Sequence, residues 1–401
     1  MEGLISIRFL FACMAFLGIA TVQMMRFNIS VAMAIMAGSG HLNSSDLLLS
    51  QTPMNGSYLA KFDNALMKMH DWNISENTDS KEIDKEETEF NWSSHTQGLL
   101  LAAFFIGYTL GNIPAGWLAD KLGGKWIIFG GACGSAILNA LGPLAARSSV
   151  GLFFATRFLA GISEGFILPA VNTMVNNWSP VNERTRMMTF IVAGFAFGPA
   201  IGQSLSGIIC AKLGWPASFY FFGGLNITWA FFWAVTSYED PSQHPFITRK
   251  ELVYIETTRS KKSDNKKVPI RSILLSLPFI AFTVVFFGTG FVYFSLACNL
   301  PIYFKHVLGF DILSVGFLTS IPYVCQWIIS LLASSIADAL IGRNILSRTS
   351  VRKFTICSGA LIMAACFFDD LFRRAKEHVF HRYTYECDVW SNGLGVFSCL
   401  R

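Results

Sequence analysis

Apolar residues in this chain are gathered into long unbroken blocks separated by polar segments. Eight blocks reach the roughly 20 residues that a helix needs to cross the hydrocarbon core of a bilayer. They cover about 9–37, 97–119, 126–146, 150–175, 187–211, 217–236, 273–298 and 312–338. A ninth begins at Phe354 and stops at Phe368, short of a comfortable crossing. The first block is too long for the core of a secretory signal, and no small-residue cleavage pattern follows it. The pattern predicts an all-α integral membrane protein whose first span also anchors it.

The polar segments set the expected sidedness. Those after the second, fourth, sixth and eighth blocks are basic: Lys121 and Lys125, then Arg184 and Arg186, then the stretch 238–272 with Arg249, Lys250, Lys261 and Lys262 among others, then Arg343, Arg348, Arg352 and Lys353. The intervening segments are short and nearly neutral, except the first, 38–95, which is long and acidic. Basic loops stay in the cytoplasm, which puts the amino terminus there and the acidic loop outside. That loop carries Asn-x-Ser sequons at Asn43, Asn55, Asn73 and Asn91. Asn55 and Asn73, far enough from the membrane, are the expected glycosylation sites. The sequons at Asn28 and Asn226 fall inside spans and read as chance matches. The expected organisation is a six-helix half over 1–236, a cytoplasmic basic linker over 237–272, a partial second half over 273–368, and a divergent polar tail over 369–401.

Composition narrows the class further. Only 14% of residues are charged, against about a quarter in soluble proteins, so lipid is the main solvent and nucleic acid is not an expected partner. Seven of the nine cysteines lie inside apolar blocks, where cysteine behaves as a small hydrophobe. No metal-ligand spacing, phosphate-cradling glycine loop or nucleophile–base constellation stands out, so neither an enzyme nor a bound cofactor or metal is expected. His378, His381, Cys387 and Cys399 in the tail read as unselected sequence.

A charge at the bilayer centre costs on the order of 2.5–3.5 kcal/mol on insertion scales. Arg26 in the first span and Arg157 and Glu164 in the fourth bear that cost. Seven residues of helix put Arg157 and Glu164 on one face about 10.5 Å apart along the axis, too far for a simple ion pair. The spacing suits a guanidinium that takes an anion and a carboxylate, two turns deeper, that handles a proton. Two plainer roles compete: locking the fourth span to its neighbours, and, for Arg26, reaching to the outer headgroups.

Between the second and third spans, Gly116-Trp117-Leu118-Ala119-Asp120-Lys121-Leu122-Gly123-Gly124-Lys125 sets one carboxylate and two lysines on a glycine turn. Asp120 is placed to cap a neighbouring helix or pair with an arginine, holding one conformation closed. Ala115-Gly-Trp-Leu-Ala-Asp120-Lys-Leu recurs as Ala333-Ser-Ser-Ile-Ala-Asp338-Ala-Leu, six spans later, as expected of a transporter built from two similar halves. Asp120, Lys121, Lys125 and Asp338 are therefore candidate gating residues. Glycines and prolines within spans, such as Pro114, Gly161, Gly165 and Gly198, read mainly as helix-packing positions.

The glycine turn resembles the loop between helices two and three of the major facilitator superfamily. Further stretches resemble the anion transporter family within it, the group of sialin, the sodium–phosphate cotransporters and the vesicular glutamate transporters. They are Arg26-Phe-Asn28-Ile-Ser30-Val-Ala32, Thr96-Gln97-Gly98 through Tyr108 with Ile113-Pro114, Arg157-Phe-Leu-Ala-Gly161-Ile-Ser-Glu164-Gly165, and Trp178-Ser-Pro180-x-x-Glu183-Arg184. The resemblance implies alternating access, a small organic anion or inorganic phosphate as substrate, and H+ or Na+ as coupling ion. It assigns substrate roles to Arg26 and Arg157 and proton coupling to Glu164. Leu101 and Thr289 stand where the vesicular glutamate branch has a histidine and an arginine, so the sialin or phosphate branches fit better. The resemblance also implies twelve spans, and it stops near Phe368. That makes the expected fold a complete six-helix first half and a truncated second half, in a plasma, endolysosomal or vesicular membrane. The competing function is a truncated, non-transporting regulatory partner of full-length transporters.

Overall fold

A computed structural model describes residues 6–37, 89–181, 183–259, 270–306 and 308–343, together with isolated positions between 347 and 361. The acidic loop with Asn55 and Asn73, the basic run 260–269 and the tail lie outside the described residues.

Each of the eight full-length predicted blocks is helical over its described residues. The helices are α1 (Ile7–Met36), α2 (Ser94–Leu122), α3 (Gly124–Ala140), α4 (Gly142–Ser148), α5 (Val150–Gly165), α6 (Ile167–Trp178), α7 (Arg184–Val192), α8 (Gly194–Leu213), α9 (Trp215–Thr236), α10 (Arg249–Thr258), α11 (Ile270–Leu274), α12 (Leu277–His306) and α13 (Ile312–Gly342). Among the described residues six segments are long and apolar enough to cross a membrane, with α5–α6 and α7–α8 each counting as one; the pair α3–α4, bent by 43°, makes a seventh. Helix α9 has 22 residues and the same placement, but Tyr220, Asn226 and its tryptophans lower its mean hydropathy. Residues 1–327 form one compact unit and 328–401 another. The second is represented here only by the end of α13 and the isolated positions beyond it.

Helix α1 runs through the centre of the first unit, buried along most of its length from Phe11 to Met36. It packs on α8 and α9, and its far half meets α12. Water cannot drive helices together inside lipid, so close backbone approach must do so, and small residues permit it. On α8, Gly194, Gly198 and Gly202 form such a stripe against α1: a Cβ on Gly198 would lie 2.5 Å from the Ala20 carbonyl oxygen. Helices α2 and α5 cross through two reciprocal pairs, Gly107 and Gly111 against Gly161 and Gly165. A Cβ on Gly165 would lie 2.6 Å from the carbonyl oxygen of Tyr108.

The two largest apolar clusters among the described residues lie toward opposite ends of the bundle, with two smaller ones around Met24 and Phe27. The first joins Phe11, Ile128, Met174, Trp178 and Trp233; the second joins Met33, Leu100, Phe153, Trp215 and Phe219. Between them lies a band of buried polar residues, among them Gln23, Arg26, Asn28, Arg157, Glu164 and Gln203. Asn28 and Asn226 belong to this interior and are fully buried, so their sequons are inaccessible. Asn28 accepts from Ser206 Oγ at 2.7 Å, and Asn226 Nδ2 donates to the Ala132 carbonyl at 3.1 Å.

The glycine crossing of α2 and α5 carries the first prediction. Gly165→Val should destabilise the detergent-purified protein by on the order of 1–3 kcal/mol of overpacking strain, read as a clear fall in melting temperature. Gly116→Ala, where an added Cβ meets nothing within 4 Å, should leave the melting temperature unchanged.

Candidate functional site: a buried ion pair at mid-membrane

The site is built where α1, α2 and α5 meet. The glycine crossing brings the α2 and α5 backbones close enough for Phe104, Tyr108 and Glu164 to share one small volume with Arg26 from α1. Arg26 Nε donates to Glu164 Oε1 at 2.7 Å, and its Nη2 reaches the same oxygen. Both side chains are almost wholly buried, at 3% and 1% exposure. Arg26 therefore does not reach out to headgroups; its charge is held inside by a partner 138 residues away. Its guanidinium also lies over the Tyr108 ring, 4.4 Å from the centroid, and 5.1 Å from that of Phe104.

The Arg157 guanidinium also lies 5.2 Å from the Phe104 ring centroid. Its Nε has no hydrogen-bond partner among the described residues, and neither has Glu164 Oε2. Arg157 and Glu164 share one face of the fourth span without forming an ion pair, and Glu164 meets Arg26 of α1 instead. Glu164 locks α5 to α1 through Arg26, while Arg157 is left as a buried cation with aromatic contact and unused donor capacity. A carboxylate and two guanidiniums leave a net charge of about +1 when all are ionised, in a volume that lipid and apolar clusters insulate from water.

Residues of the second half close one side of this volume. Phe27 of α1 meets Tyr293, Phe294 and Tyr323, with ring centroids 6.1–6.4 Å apart, and Phe105 meets Phe294 at 4.8 Å. Only Ala297, Cys298 and Pro301 of α12 are buried, toward its far end; Leu277, Phe286 and Phe287 at the other end are widely exposed. Leu101 is part of the buried apolar cluster near that far end. Thr289 Oγ1 bonds back to the Val285 carbonyl of its own helix at 2.9 Å.

Of the candidate gating residues, Asp120, Lys121 and Lys125 lie on the face that carries Ser6, Gly123 and Tyr238. Asp120 is exposed, with Thr173 Oγ1 at 3.4 Å as its partner. It does not cap the neighbouring helix. That cap comes from Glu239, whose two oxygens accept from the backbone N–H groups of Gly124 (3.0 Å) and Lys125 (2.9 Å) at the start of α3. The fit requires glycine at 123, which has φ of +91° and a missing Cβ 2.9 Å from Glu239 Oε2. Lys121 rests its ammonium 4.0 Å over the Trp117 ring, and Lys125 lies 5.0 Å from the Tyr238 ring centroid. The side chain of Asp338 lies outside the described residues.

A clasp on the same face was not anticipated. Arg8, at the start of α1, donates to Glu183 Oε2 at 2.6 Å and to Glu251 Oε1 at 3.0 Å. Glu251 also receives Ser6 Oγ and the backbone N–H of Arg8, and Tyr254 O–H donates to Glu183 at 3.2 Å. Burial alone would raise the Glu251 carboxyl, but these hydrogen bonds outweigh it and hold it below its ordinary range. The only signal in the sequence was the placement of isolated acids beside basic loops. At the opposite face, Glu89 joins Arg147 Nε (2.7 Å) and Trp215 Nε1 (2.8 Å), closing the end of the long loop onto the bundle.

Comparisons with known proteins bear on the family and the fold. A profile of the Major Facilitator Superfamily matches residues 15–369. Human sialin is 34% identical over 349 residues, 87% of this chain and 66% of that protein. A putative inorganic phosphate cotransporter of Drosophila melanogaster is 34% identical over 86% of this chain and 63% of its own length. The zebrafish vesicular glutamate transporter 2.1 is 35% identical over 70% of this chain and 49% of its length. The chain thus spans between half and two-thirds of the curated relatives it matches. Among solved structures, an inward-facing bacterial homologue of the human lysosomal transporter Spinster superimposes with a TM-score of 0.55 over 85% of this chain and 64% of that one. At 15% identity that likeness concerns the fold.

Two measurements follow. Arg26→Met or Glu164→Gln alone strands a buried group and should each cost about 3–5 kcal/mol; the double variant should recover most of it in thermal melts. Glu251, held below its ordinary value of 4.5, stabilises the clasp above that pH and loses the contribution as pH falls through the lower folded value. Glu251→Gln should therefore melt lower than wild type at pH 7 and lose part of the acid sensitivity that wild type shows as pH falls below 4.5.

Proposed function

The chain belongs to the major facilitator superfamily, and from that premise we propose that it is a secondary active carrier of small anions, coupled to H+ or Na+ and working by alternating access. The observation that supports this most is the unequal state of the two buried arginines. Arg26 is neutralised by Glu164, whereas Arg157 keeps its charge and an unpartnered Nε among the described residues. An anion entering the volume beside Phe104 would find one guanidinium already free. Protonating Glu164 would remove the charge that holds Arg26 and release a second guanidinium toward the anion, so substrate and proton would strengthen each other's binding. The relatives named as sialin and as phosphate cotransporters support a sialate-like organic anion or inorganic phosphate as the substrate class.

In this reading the face with the Arg8 clasp, Asp120, Lys121 and Lys125 is cytoplasmic, in keeping with the basic loops, and Asp120 and Asp338 help gate it. Asn55 and Asn73 would then be glycosylated on the opposite side. The expected address is a multi-pass position in the plasma membrane or an endolysosomal or vesicular membrane; relatives named vesicular glutamate transporters favour the vesicular one.

The test is uptake of labelled sialate and phosphate by liposomes containing the purified chain, under imposed pH and sodium gradients. Uptake should fall at least tenfold in Arg157→Ala, and Glu164→Gln should lose its response to the pH gradient. A folded protein that moves neither anion under either gradient removes the carrier reading and leaves that of a non-transporting partner.

A further inference from the structure

Gln23 is 1% exposed, and neither its Nε2 nor its Oε1 has a hydrogen-bond partner among the described residues. A Cβ on Gly198 would lie 2.7 Å from Gln23 Cβ, so α8 holds the base of the side chain in place. Gln23, Arg26, Tyr108 and Glu164 line one small recess, walled on its apolar side by Ile19, Val22 and Ile167 among others. It has room for about one water molecule and for nothing larger. Ser30 Oγ and Gln203 Nε2 are also unpartnered, but neither residue lines this recess. Glu164 does line it, and Glu164 Oε2 is the third unpartnered atom of the group.

Buried polar atoms without partners are rare in folded proteins, and water is the usual occupant of a small cavity that has two to four polar contacts to offer. Water suits this recess in both protonation states of Glu164. With the carboxylate ionised, a water donates to Oε2 and accepts from Gln23 Nε2. With the carboxyl protonated, it accepts from the Glu164 O–H and donates to Gln23 Oε1. A carboxamide supplies both partners; an apolar side chain of the same length supplies neither. A metal cation fits poorly here, because Nε2 presents hydrogens and the Arg26 guanidinium a like charge. Ile19, Val22 and Ile167 belong to the apolar cluster of Phe11 and Trp178, so the recess borders the side of the ion pair that faces the Arg8 clasp.

Resting on the proton role given to Glu164 above, we propose that Gln23 holds a single water against Glu164 and that this water carries the Glu164 proton toward the clasp face. On release the Glu164 O–H bond breaks and its proton bonds to the water oxygen. One of the water's own hydrogens passes to bulk water that enters when that face opens. No electron changes hands, and Glu164 is left ionised on Arg26. The charged and titratable groups around Glu164 are Arg26 from α1, Tyr108 from α2 and Arg157 from its own helix; α8 contributes only Phe195 to the recess. Gln23 is thus a positioning residue, acting through the water.

The test is infrared difference spectroscopy of the purified full chain as pH is stepped through the titration of Glu164, in ordinary and in heavy-oxygen water. Wild type should show an O–H band of an internal water that shifts with the oxygen isotope and changes together with the carboxylic C=O band. Glu164→Gln should lose that coupled change. Gln23→Met, of similar length and without hydrogen-bonding atoms, should lose the water band and move the midpoint of the carboxyl titration. Gln23→Asn, whose amide is withdrawn by one methylene, should shift the water band and serves if the methionine variant fails to fold. A wild type without an isotope-sensitive band tied to the carboxyl overturns the water site, and so does a folded Gln23 variant with band and midpoint unchanged. In liposomes, the ratio of pH-driven uptake of labelled sialate or phosphate to exchange of the same anion at equal pH should fall about tenfold in Gln23→Met; an unchanged ratio overturns the relay. The infrared result decides the water site even where neither anion is moved, an outcome that removes the carrier reading alone.

Discussion

A bilayer interior offers no water to a charge, and that constraint organises this molecule. Arg26 can stay ionised in the middle of α1 because Glu164 meets it from α5, and Glu164 can stay ionised for the same reason. The pair is useful only if the two helices hold their register, so the glycine crossings of α5 on α2 and of α8 on α1 are part of the same solution. Apolar clusters on either side then seal the polar band from both membrane faces.

The band has a graded chemistry. At one flank a matched pair, Arg26 and Glu164, stores a charge interaction that protonation would undo. Near the same Phe104 ring, Arg157 is a cation whose Nε has no partner among the described residues. Beside the pair, Gln23 adds hydrogen-bonding capacity without charge. An anion that pairs with Arg157 while displacing Glu164 from Arg26 would alter the contacts between α1 and α5. This is the kind of differential contact that lets a bound ion and a substrate bias one conformational equilibrium.

The membrane-face contacts obey the opposite rule. Glu239 on the α3 amino terminus, the Arg8–Glu183–Glu251 clasp and the Glu89–Arg147 pair all lie where water competes. Individually such contacts contribute little. Together they fix where loops leave the bundle, and contacts of that strength are easily remade when a face opens.

Much of this was legible in the sequence because hydropathy is local. Twenty apolar residues in a row predict a span wherever they fold, and Arg26, Arg157 and Glu164 were visible because each breaks an apolar block. Basic residues in alternate loops and the glycines at four-residue spacing were equally plain. Pairing was not legible, since a guanidinium on one helix chooses its carboxylate by the crossing of three helices, not by spacing along either. The sequence placed Glu164 with Arg157 on one helix face; the tertiary structure joined it to Arg26, assigned the α3 cap to Glu239 instead of Asp120, and exposed Gln23 as an unsatisfied amide. A polar residue's partner depends on the other helices that surround it, and that arrangement exists only once the chain has folded.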